Sequence, residues 1–206
     1  MSVVVLISGR GSNLQALLDA GVPVAAVISN RADAKGLQVA AARGVAARTL
    51  EHRAFASRES FDAALADEID RHAPRLVALA GFMRILTPAF VARYAGRLVN
   101  IHPSLLPAFP GLDTHERALA AGVKVHGCTV HFVTSELDQG PIIIQAAVAV
   151  RPGDTPETLA ARVLEQEHVV YPRAVRWFLD GRISVEQGVV RVQGNDAQLV
   201  IAARGR

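Results

Sequence analysis

A polar pair at the end of a short apolar run carries the residue types best suited to chemistry in this sequence. Asn100 and His102 are two residues apart in Leu98–His102, which has the pattern of a buried strand. Alternate residues of a strand point to the same side, so we expect the two side chains to be neighbours. An asparagine amide can donate to a carbonyl oxygen that becomes negative, and a histidine can donate as a cation or move protons as a base. The pair indicates chemistry at a carbonyl group; a structural histidine at a turn is the alternative.

A carboxylate further along the chain can complete this pair. Asp138 lies in the polar segment Ser135–Ile142, between two apolar runs. An aspartate before a Gly-Pro sequence is commonly a turn residue, and its position alone leaves that alternative open. Beside His102, the carboxylate would raise the pKa of the histidine and orient its ring.

A glycine-rich segment, Ser8–Asn13, follows the first apolar run. Glycines allow a tight turn in which main-chain N–H groups approach an anion, and the start of a helix adds partial positive charge. Gly11, Ser12 and Asn13 would form the end of this turn. The segment has neither the Gly-Lys-Ser/Thr ending of a nucleotide loop nor the third glycine of the dinucleotide motif. It therefore favours a single phosphomonoester; a plain turn capped by Ser12 or Asn13 is the alternative.

The elements that must position these residues alternate through the first half of the chain. Short apolar runs predict strands, and segments with helical spacing or helix caps separate them. The strands are expected at Val3–Ile7, Val24–Ser29, Leu76–Ala80 and Leu98–His102, and the helices from about Asn13 and at Ala34–Arg43, Glu59–Arg71 and Pro88–Tyr94. This order predicts an α/β fold: a mostly parallel, doubly wound sheet with helices on both faces.

The second half has a different pattern. Thr129–Val133 and Ile142–Val150 read as strands with no long helix between them, so this edge of the sheet should be mixed or antiparallel. Thr155 caps a long helix to about Leu179, and a hairpin of 183–185 and 189–192 follows. We expect one domain over 1–206, with a phosphate-binding α/β half (1–100) and a catalytic half (101–206) that ends in the hairpin tail.

Composition excludes several classes of protein. The net charge is +3 and the pI about 9.6 over 206 residues, an excess too small and dispersed to indicate nucleic acid. Cys128 is the single cysteine, so no intrachain disulfide can form. No signal peptide or membrane-spanning run is apparent, so we expect a cytoplasmic protein without a membrane partner.

The three histidines His115, His126 and His131 lack metal-ligand spacing, and no metal is expected. Arg204-Gly205-Arg206 should be a solvated end.

Several segments in order resemble the phosphoribosylglycinamide formyltransferase family, the folate-dependent GAR transformylases of purine synthesis. They run along the chain to about Gly181. The matching segments are VVLISGRGSN at 4–13, LAGFMRIL at 79–86, NIHPSLLP at 100–107, PGLDTH at 110–115, HGCTVHFV at 126–133 and ELDQGPI at 136–142. Together they are far more specific than any one of them.

The resemblance implies a role for each candidate residue. It implies catalysis by Asn100, His102 and Asp138, with Asn100 also at the folate. For substrate binding, it implies that Gly11, Ser12 and Asn13 contact the phosphate and that Glu167 contacts the ribose hydroxyls. For folate binding, it implies that Arg58 contacts the glutamate tail and that the pterin is bound by Met83, Arg84, Ile85 and Leu86. Alternatives remain: Met83, Ile85 and Leu86 as core residues, and Arg58 and Glu167 as solvated charges.

The activity implied by this resemblance is formyl transfer from 10-formyltetrahydrofolate, a co-substrate, to the amine of phosphoribosyl glycinamide. The amine would attack the formyl carbon directly, Asn100 and protonated His102 would stabilise the oxyanion, and Asp138 would keep His102 charged and relay a proton through water. The resemblance implies small-molecule partners only, and a monomer or homodimer.

Three other functions fit part of the pattern. Methionyl-tRNA formyltransferase is expected to carry a further C-terminal RNA-binding domain, whereas this chain ends at residue 206. A formyltetrahydrofolate hydrolase is expected to carry an extra N-terminal segment, whereas the first strand here starts at Val3. A phosphate- or folate-binding module without activity would not need Asn100, His102 and Asp138 together.

Overall fold

A computed structural model of the chain describes residues 2–202. Met1 and residues 203–206 lie outside the described residues, and with them the predicted solvated end at Arg204, Gly205 and Arg206. The structure divides into two compact units between Asn100 and Ile101. The predicted α/β class with a mostly parallel sheet is confirmed; the single domain stays a prediction.

The first unit is built on parallel strands that run in the order β3-β2-β1-β4-β5. They are β1 (Val3–Ile7), β2 (Val24–Ser29), β3 (Ala46–Thr49), β4 (Leu76–Leu79) and β5 (Leu98–His102), whose last two residues belong to the second unit. Every residue of β1 and β4 is buried. Continuous apolar runs are typical of parallel strands that are covered on both faces.

The helices of the first unit are α1 (Ser12–Asp19), α2 (Gly36–Ala42), α3 (Arg58–Asp70) and α4 (Pro88–Arg93), with a short 3-10 helix at His52–Ala54. The chain runs outward from β1 to β3 and then returns to β4 on the other side of β1. Right-handed crossovers therefore place α1 and α2 on one face and α3 and α4 on the other. The point of reversal lies between β1 and β4, and open α/β sheets bind ligands at the carboxyl ends of such strands.

Local sequence explains where two of these helices lie. Thr87 accepts a hydrogen bond from the N–H of Phe90 and Pro88 occupies the first turn, so α4 begins where the Thr-Pro pair predicts. Phe61, Leu65 and Ile69 recur every four residues on α3, and all three are buried.

The second unit has a mixed sheet, as predicted. Strand β6 (Val125–Phe132) pairs antiparallel with β7 (Ile142–Ala149), and β10 (Leu199–Ile201) adds to β7 in parallel. The long helix α6 (Pro156–Leu179) begins at a capping box of Thr155 and Thr158 and packs on β6 and β7. Its other elements are α5 (Thr114–Ala120) and the hairpin of β8 (Ile183–Glu186) and β9 (Val189–Val192).

The sequence analysis does not predict four elements and misplaces some ends. These elements are strand β3, the 3-10 helix at His52–Ala54, helix α5 and strand β10. Each is short, and β3 has an exposed or half-exposed Ala-Ala-Arg-Thr sequence without apolar alternation. Helix α2 begins at Gly36 rather than Ala34, and β6 begins at Val125 rather than Thr129. Within residues 2–202, no helix is both long and apolar enough to cross a membrane.

Candidate functional site

Strand β5 carries the asparagine and histidine that the sequence singles out. Its residues alternate in direction, so Asn100 and His102 project from the same side of the strand. Asn100 is half-buried and His102 is buried. The alternation of β5 thus directs the amide and the imidazole to the same side of the strand, near its carboxyl end.

Both ring nitrogens of His102 face oxygen atoms. Nδ1 lies 3.5 Å from Oδ2 of Asp138, and the two side chains are only 6% and 7% exposed. Nε2 lies 3.0 Å from the main-chain carbonyl oxygen of Phe109. Neither oxygen can donate a hydrogen bond to the ring, because one belongs to a carbonyl and the other to a carboxylate. Only the doubly protonated imidazolium ring can donate to both.

Asp138 is a turn residue whose side chain is also engaged. Its φ of 56° lies in the left-handed region, which aspartate tolerates better than most residues. The N–H of Gly111 donates to Oδ2 at 2.8 Å, and Nε2 of His131 lies 3.8 Å from Oδ1. Burial lowers the pKa of His131, and the carboxylate of Asp138 opposes that shift. Asp138 therefore occupies a turn and also contacts His102.

The segment Pro107–Asp113 is tied to itself and to α5. Phe109 and Asp113 have positive φ values of 52° and 54°. The guanidinium group of Arg117 donates to the carbonyl oxygens of Pro110 and Leu112 at 2.5 and 3.2 Å. This segment supplies the Phe109 carbonyl to His102 and the Gly111 N–H to Asp138, so it orients both side chains.

Two further histidines lie next to this segment. Nδ1 of His115 is 3.2 Å from Nε2 of His126, and the Phe109 ring meets His126 edge-on with centroids 5.9 Å apart. Burial, with a smaller contribution from the neighbouring His115, lowers the pKa of His126 to about 4, and burial also lowers that of His115. No group of three potential metal ligands occurs among residues 2–202.

A cavity of about 320 Å³ borders Asp138 in the second unit. Its walls are mostly apolar, with the carboxylate as the charged group. The lining residues are Leu106, Pro107, Pro110, Leu137, Asp138, Gln139, Gly140 and Ile142. The cavity therefore offers a small organic group a place beside the carboxylate that contacts His102.

The glycine-rich segment forms the start of α1 in the first unit. Gly11 is the residue before the helix and has a φ of 79°; no side chain caps the helix there, so the capping alternative for Ser12 or Asn13 is wrong. A Cβ atom on Gly11 would lie 2.5 Å from the Cα of Gly36. Gly11 therefore both turns the chain and allows α2 to approach, and Ser12 and Asn13 occupy the first turn of α1.

The four residues expected at the pterin form an extended segment between β4 and α4. Met83 and Ile85 are each 62% exposed, and Arg84 and Leu86 are half-buried. The alternative that Met83, Ile85 and Leu86 are core residues is therefore wrong for Met83 and Ile85. Exposed apolar side chains on a loop are typical of ligand contacts.

The two remaining candidates differ in burial. Arg58 is exposed at the first position of α3, where a positive charge opposes the helix dipole. Glu167 is buried on α6, so its alternative as a surface position is wrong. Burial raises the pKa values of Cys128 and Tyr171, and the charge of Glu167 adds to both shifts.

The structure reveals contacts that residue types alone could not show. Phe109 and Gly111 act through main-chain atoms, which any residue possesses, and only the Pro-Gly pair at 110–111 marks this turn in the sequence. The sequence suggests His131 only as a possible metal ligand. It lies near the end of β6, shortly before the turn that carries Asp138, and this position brings its ring close to the carboxylate.

Comparisons with known proteins extend along most of the chain. The formyl transferase family matches residues 1–175. A phosphoribosylglycinamide formyltransferase of Escherichia coli K12 is 54% identical over 200 residues, with 94% of each chain covered. The solved structure of glycinamide ribonucleotide transformylase 1 from Symbiobacterium toebii is 50% identical, covers 93% of both chains and has a TM-score of 0.91. That of a phosphoribosylglycinamide formyltransferase from Anaplasma phagocytophilum is 43% identical, covers 98% of this chain and 99% of its own, and has a TM-score of 0.93.

Proposed function

The chain belongs to the formyl transferase family, and on this premise we propose that it transfers the formyl group of 10-formyltetrahydrofolate to the amine of 5-phosphoribosyl glycinamide. The products are formylglycinamide ribonucleotide and tetrahydrofolate, in de novo purine biosynthesis. The 54% identity to a phosphoribosylglycinamide formyltransferase supports this activity. The buried contact between His102 and Asp138 is the structural observation that supports the chemistry.

The chemistry requires stabilisation of a negative oxygen. Attack of the substrate amine on the formyl carbon forms a C–N bond and places negative charge on the formyl oxygen. Asn100 and the imidazolium of His102 donate hydrogen bonds to this oxygen, and one such donor typically contributes a factor of about 10² to 10³ in rate. The bond from the formyl carbon to N10 then breaks, and the amine's proton reaches N10 through water beside Asp138.

His102 exchanges one hydrogen bond to reach that oxygen. Its Nε2 lies 3.0 Å from the Phe109 carbonyl while Nδ1 faces Asp138. The formyl oxygen takes the place of the Phe109 carbonyl during the reaction. Because a charge-assisted hydrogen bond is broken and another is formed, this exchange has a small net cost.

The formyl group passes directly to the substrate amine, because the two candidate nucleophilic side chains near the site, Cys128 and Ser104, are not activated. Burial raises the pKa of the Cys128 thiol well above its ordinary value, so the thiolate is not accessible near neutral pH. Ser104 is fully buried, and its hydroxyl donates to the carbonyl of Ala108. Neither group is activated by a base, and no covalent formyl-enzyme is needed.

Each anionic or polar part of the substrates has a candidate partner. The main-chain N–H groups at the uncapped start of α1, with Ser12 and Asn13, bind the phosphate of phosphoribosyl glycinamide. Glu167 accepts hydrogen bonds from its ribose hydroxyls. Met83–Leu86 contacts the pterin of the folate, and the exposed guanidinium of Arg58 binds the glutamate tail.

The remaining partners follow from this activity. Both substrates are small anions, which suits a net charge of +3, and the proposal includes neither a nucleic-acid nor a membrane partner. The reaction needs no metal. A cytoplasmic protein, as a monomer or homodimer, is consistent with purine synthesis.

The fate of the formyl group tests this function. Purified protein is incubated with 10-formyltetrahydrofolate labelled in the formyl carbon and with phosphoribosyl glycinamide. We expect one labelled formylglycinamide ribonucleotide for each tetrahydrofolate formed, and no labelled formate. Release of formate without formylated product would instead identify a hydrolase, and transfer to methionyl-tRNA alone would reject the proposed acceptor.

A further inference from the structure

The segment Met83–Leu86 keeps a defined main-chain path without regular secondary structure. It lies between the end of β4 and the start of α4, and two of its four side chains are mostly exposed. Among the described residues, Arg84, Ile85 and Leu86 make no main-chain hydrogen bond to other main-chain groups. No β-ladder therefore fixes this path; within the segment, the guanidinium of Arg84 lies over the ring of Phe61, 5.6 Å from its centroid.

A buried serine binds the first residue of the segment. The N–H of Met83 donates to Oγ of Ser8 at 2.8 Å. The hydroxyl of Ser8 donates in turn to Oδ1 of Asn30 at 2.6 Å, and the Ser8 N–H donates to the Gly81 carbonyl at 3.1 Å. Because the Ser8 proton is directed to Asn30, a lone pair of Oγ faces Met83. Ser8 lies directly after β1 and Asn30 directly after β2, so the rigid sheet orients this contact.

A buried aspartate binds the residue that follows the segment. The N–H of Thr87 donates to Oδ2 of Asp62 at 2.6 Å, and both residues are buried. Asp62 lies on α3, and Thr87 is the cap of α4. The second oxygen of Asp62 has no hydrogen-bond partner among the described residues. Burying a polar oxygen without a hydrogen-bond partner costs free energy, and the contact with Thr87 is the hydrogen bond that the structure shows for this side chain.

We propose that Ser8 and Asp62 are positioning residues for the folate co-substrate, because they fix the main chain of Met83–Leu86 at both ends. This inference rests on the proposed function. A flat heteroaromatic ring with donors and acceptors on its edge is recognised by peptide groups only if these stand at fixed positions. The two contacts provide that order before the ligand binds, while Met83 and Ile85 remain exposed to meet the ring.

The test compares folate binding with binding of the other substrate. Ser8→Ala removes the acceptor for Met83, and Asp62→Leu removes the acceptor for Thr87 at nearly constant volume. Loss of one hydrogen bond of ordinary strength predicts a rise of about 3- to 10-fold in KM for 10-formyltetrahydrofolate and in Kd for tetrahydrofolate. For Asp62→Leu, we expect KM for phosphoribosyl glycinamide to change less than about twofold. Asp62→Asn keeps an oxygen acceptor and should restore folate binding.

Ser29→Ala is the matched control. Ser29 is a fully buried serine at the end of β2 whose hydroxyl bonds to the main chain of Arg31, away from the segment. If Ser8→Ala and Asp62→Leu change the KM for 10-formyltetrahydrofolate and the Kd for tetrahydrofolate no more than Ser29→Ala does, the inference is overturned. The proposed function still stands in that case. If Asp62→Leu does not fold, the Kd for tetrahydrofolate of Ser8→Ala is compared with that of Ser29→Ala, and equal values overturn the inference. Failure of the wild-type protein to bind tetrahydrofolate would overturn both.

Discussion

His102 has an oxygen atom at each ring nitrogen, and this arrangement determines what the residue can do. The carboxylate of Asp138 lies 3.5 Å from Nδ1, and the Phe109 carbonyl lies 3.0 Å from Nε2 and marks the direction of a hydrogen bond that this nitrogen can donate. A neutral histidine could satisfy only one of these acceptors. The proposed mechanism uses this arrangement: Nε2 donates to the oxyanion while Nδ1 faces Asp138.

Replacement of Asp138 tests this role at the level of one residue. Asp138→Asn removes the negative charge but keeps a residue that tolerates a φ of 56°. We expect kcat to fall by about 10²-fold, within the range typical of acid–base groups, and the acid limb of the pH–rate profile to shift. Steady-state kinetics from pH 5 to 9 measure both effects.

Asp113→Asn is a close control for that variant. Asp113 is also an aspartate with a positive φ, 54°, but its side chain is exposed and does not cap α5. Its substitution should change kcat and the pH profile little. If the two variants behave alike, Asp138 is a turn residue only.

His126 should make the protein sensitive to acid. Its pKa in the folded protein is about 4, because burial and the neighbouring His115 disfavour the cation, whereas an unfolded histidine titrates near 6.5. As the pH falls from 6.5 towards 4, the unfolded chain takes up a proton at this position and the folded chain does not, so stability declines. His126→Gln should reduce the difference in Tm between pH 7 and pH 5. An unchanged difference would contradict this explanation.

At the level of elements, α1 and α2 meet at two glycines. The two glycines are so close that a Cβ atom on Gly11 would lie 2.5 Å from the Cα atom of Gly36. The Gly36 N–H also donates to the Gly9 carbonyl at 3.0 Å. The start of α2 therefore helps to fix the shape of the proposed phosphate-binding turn.

Gly11→Ala should disturb this turn and the helix contact together. Its φ of 79° alone costs an L-residue about 1–2 kcal/mol, and the contact with Gly36 adds to that cost. We expect a lower free energy of unfolding in urea and a higher KM for phosphoribosyl glycinamide. Gly9→Ala is the control, because a Cβ there meets nothing within 4 Å. Equal effects of the two substitutions would reject the role of the Gly11–Gly36 contact.

The elements that sequence reasoning recovered are those with a strong local signal. β5 and β9 have the predicted bounds, and α6 has its predicted cap, because apolar runs and Thr-Pro pairs act locally. β3 and β10 are strands chiefly because a neighbouring strand offers hydrogen-bond partners, which composition does not reveal. The return of the chain to β4 beside β1 is likewise a property of the sheet. That return brings Ser8 to Met83, a contact that no motif indicates.

For the molecule as a whole, the charge and the family agree with small anionic substrates. The net charge of +3 is modest, and the resemblance that predicted the candidate residues is supported by matches over most of the chain. Asn100 and His102 of the proposed catalytic group could be singled out from sequence because they lie two residues apart on one strand. The main-chain partners of His102 and Asp138 could not be predicted, because Phe109 and Gly111 contribute a carbonyl and an N–H that any residue possesses.

The rate of formyl transfer in a single turnover of His102→Ala tests the central claim most directly. Protein in excess over 10-formyltetrahydrofolate, with saturating phosphoribosyl glycinamide, is quenched at intervals and the formylated product is measured. We predict a rate about 10²- to 10³-fold below that of the wild-type protein, with the Kd for tetrahydrofolate unchanged within about twofold. A loss of less than about tenfold would contradict the assignment of His102 as the residue that stabilises the oxyanion.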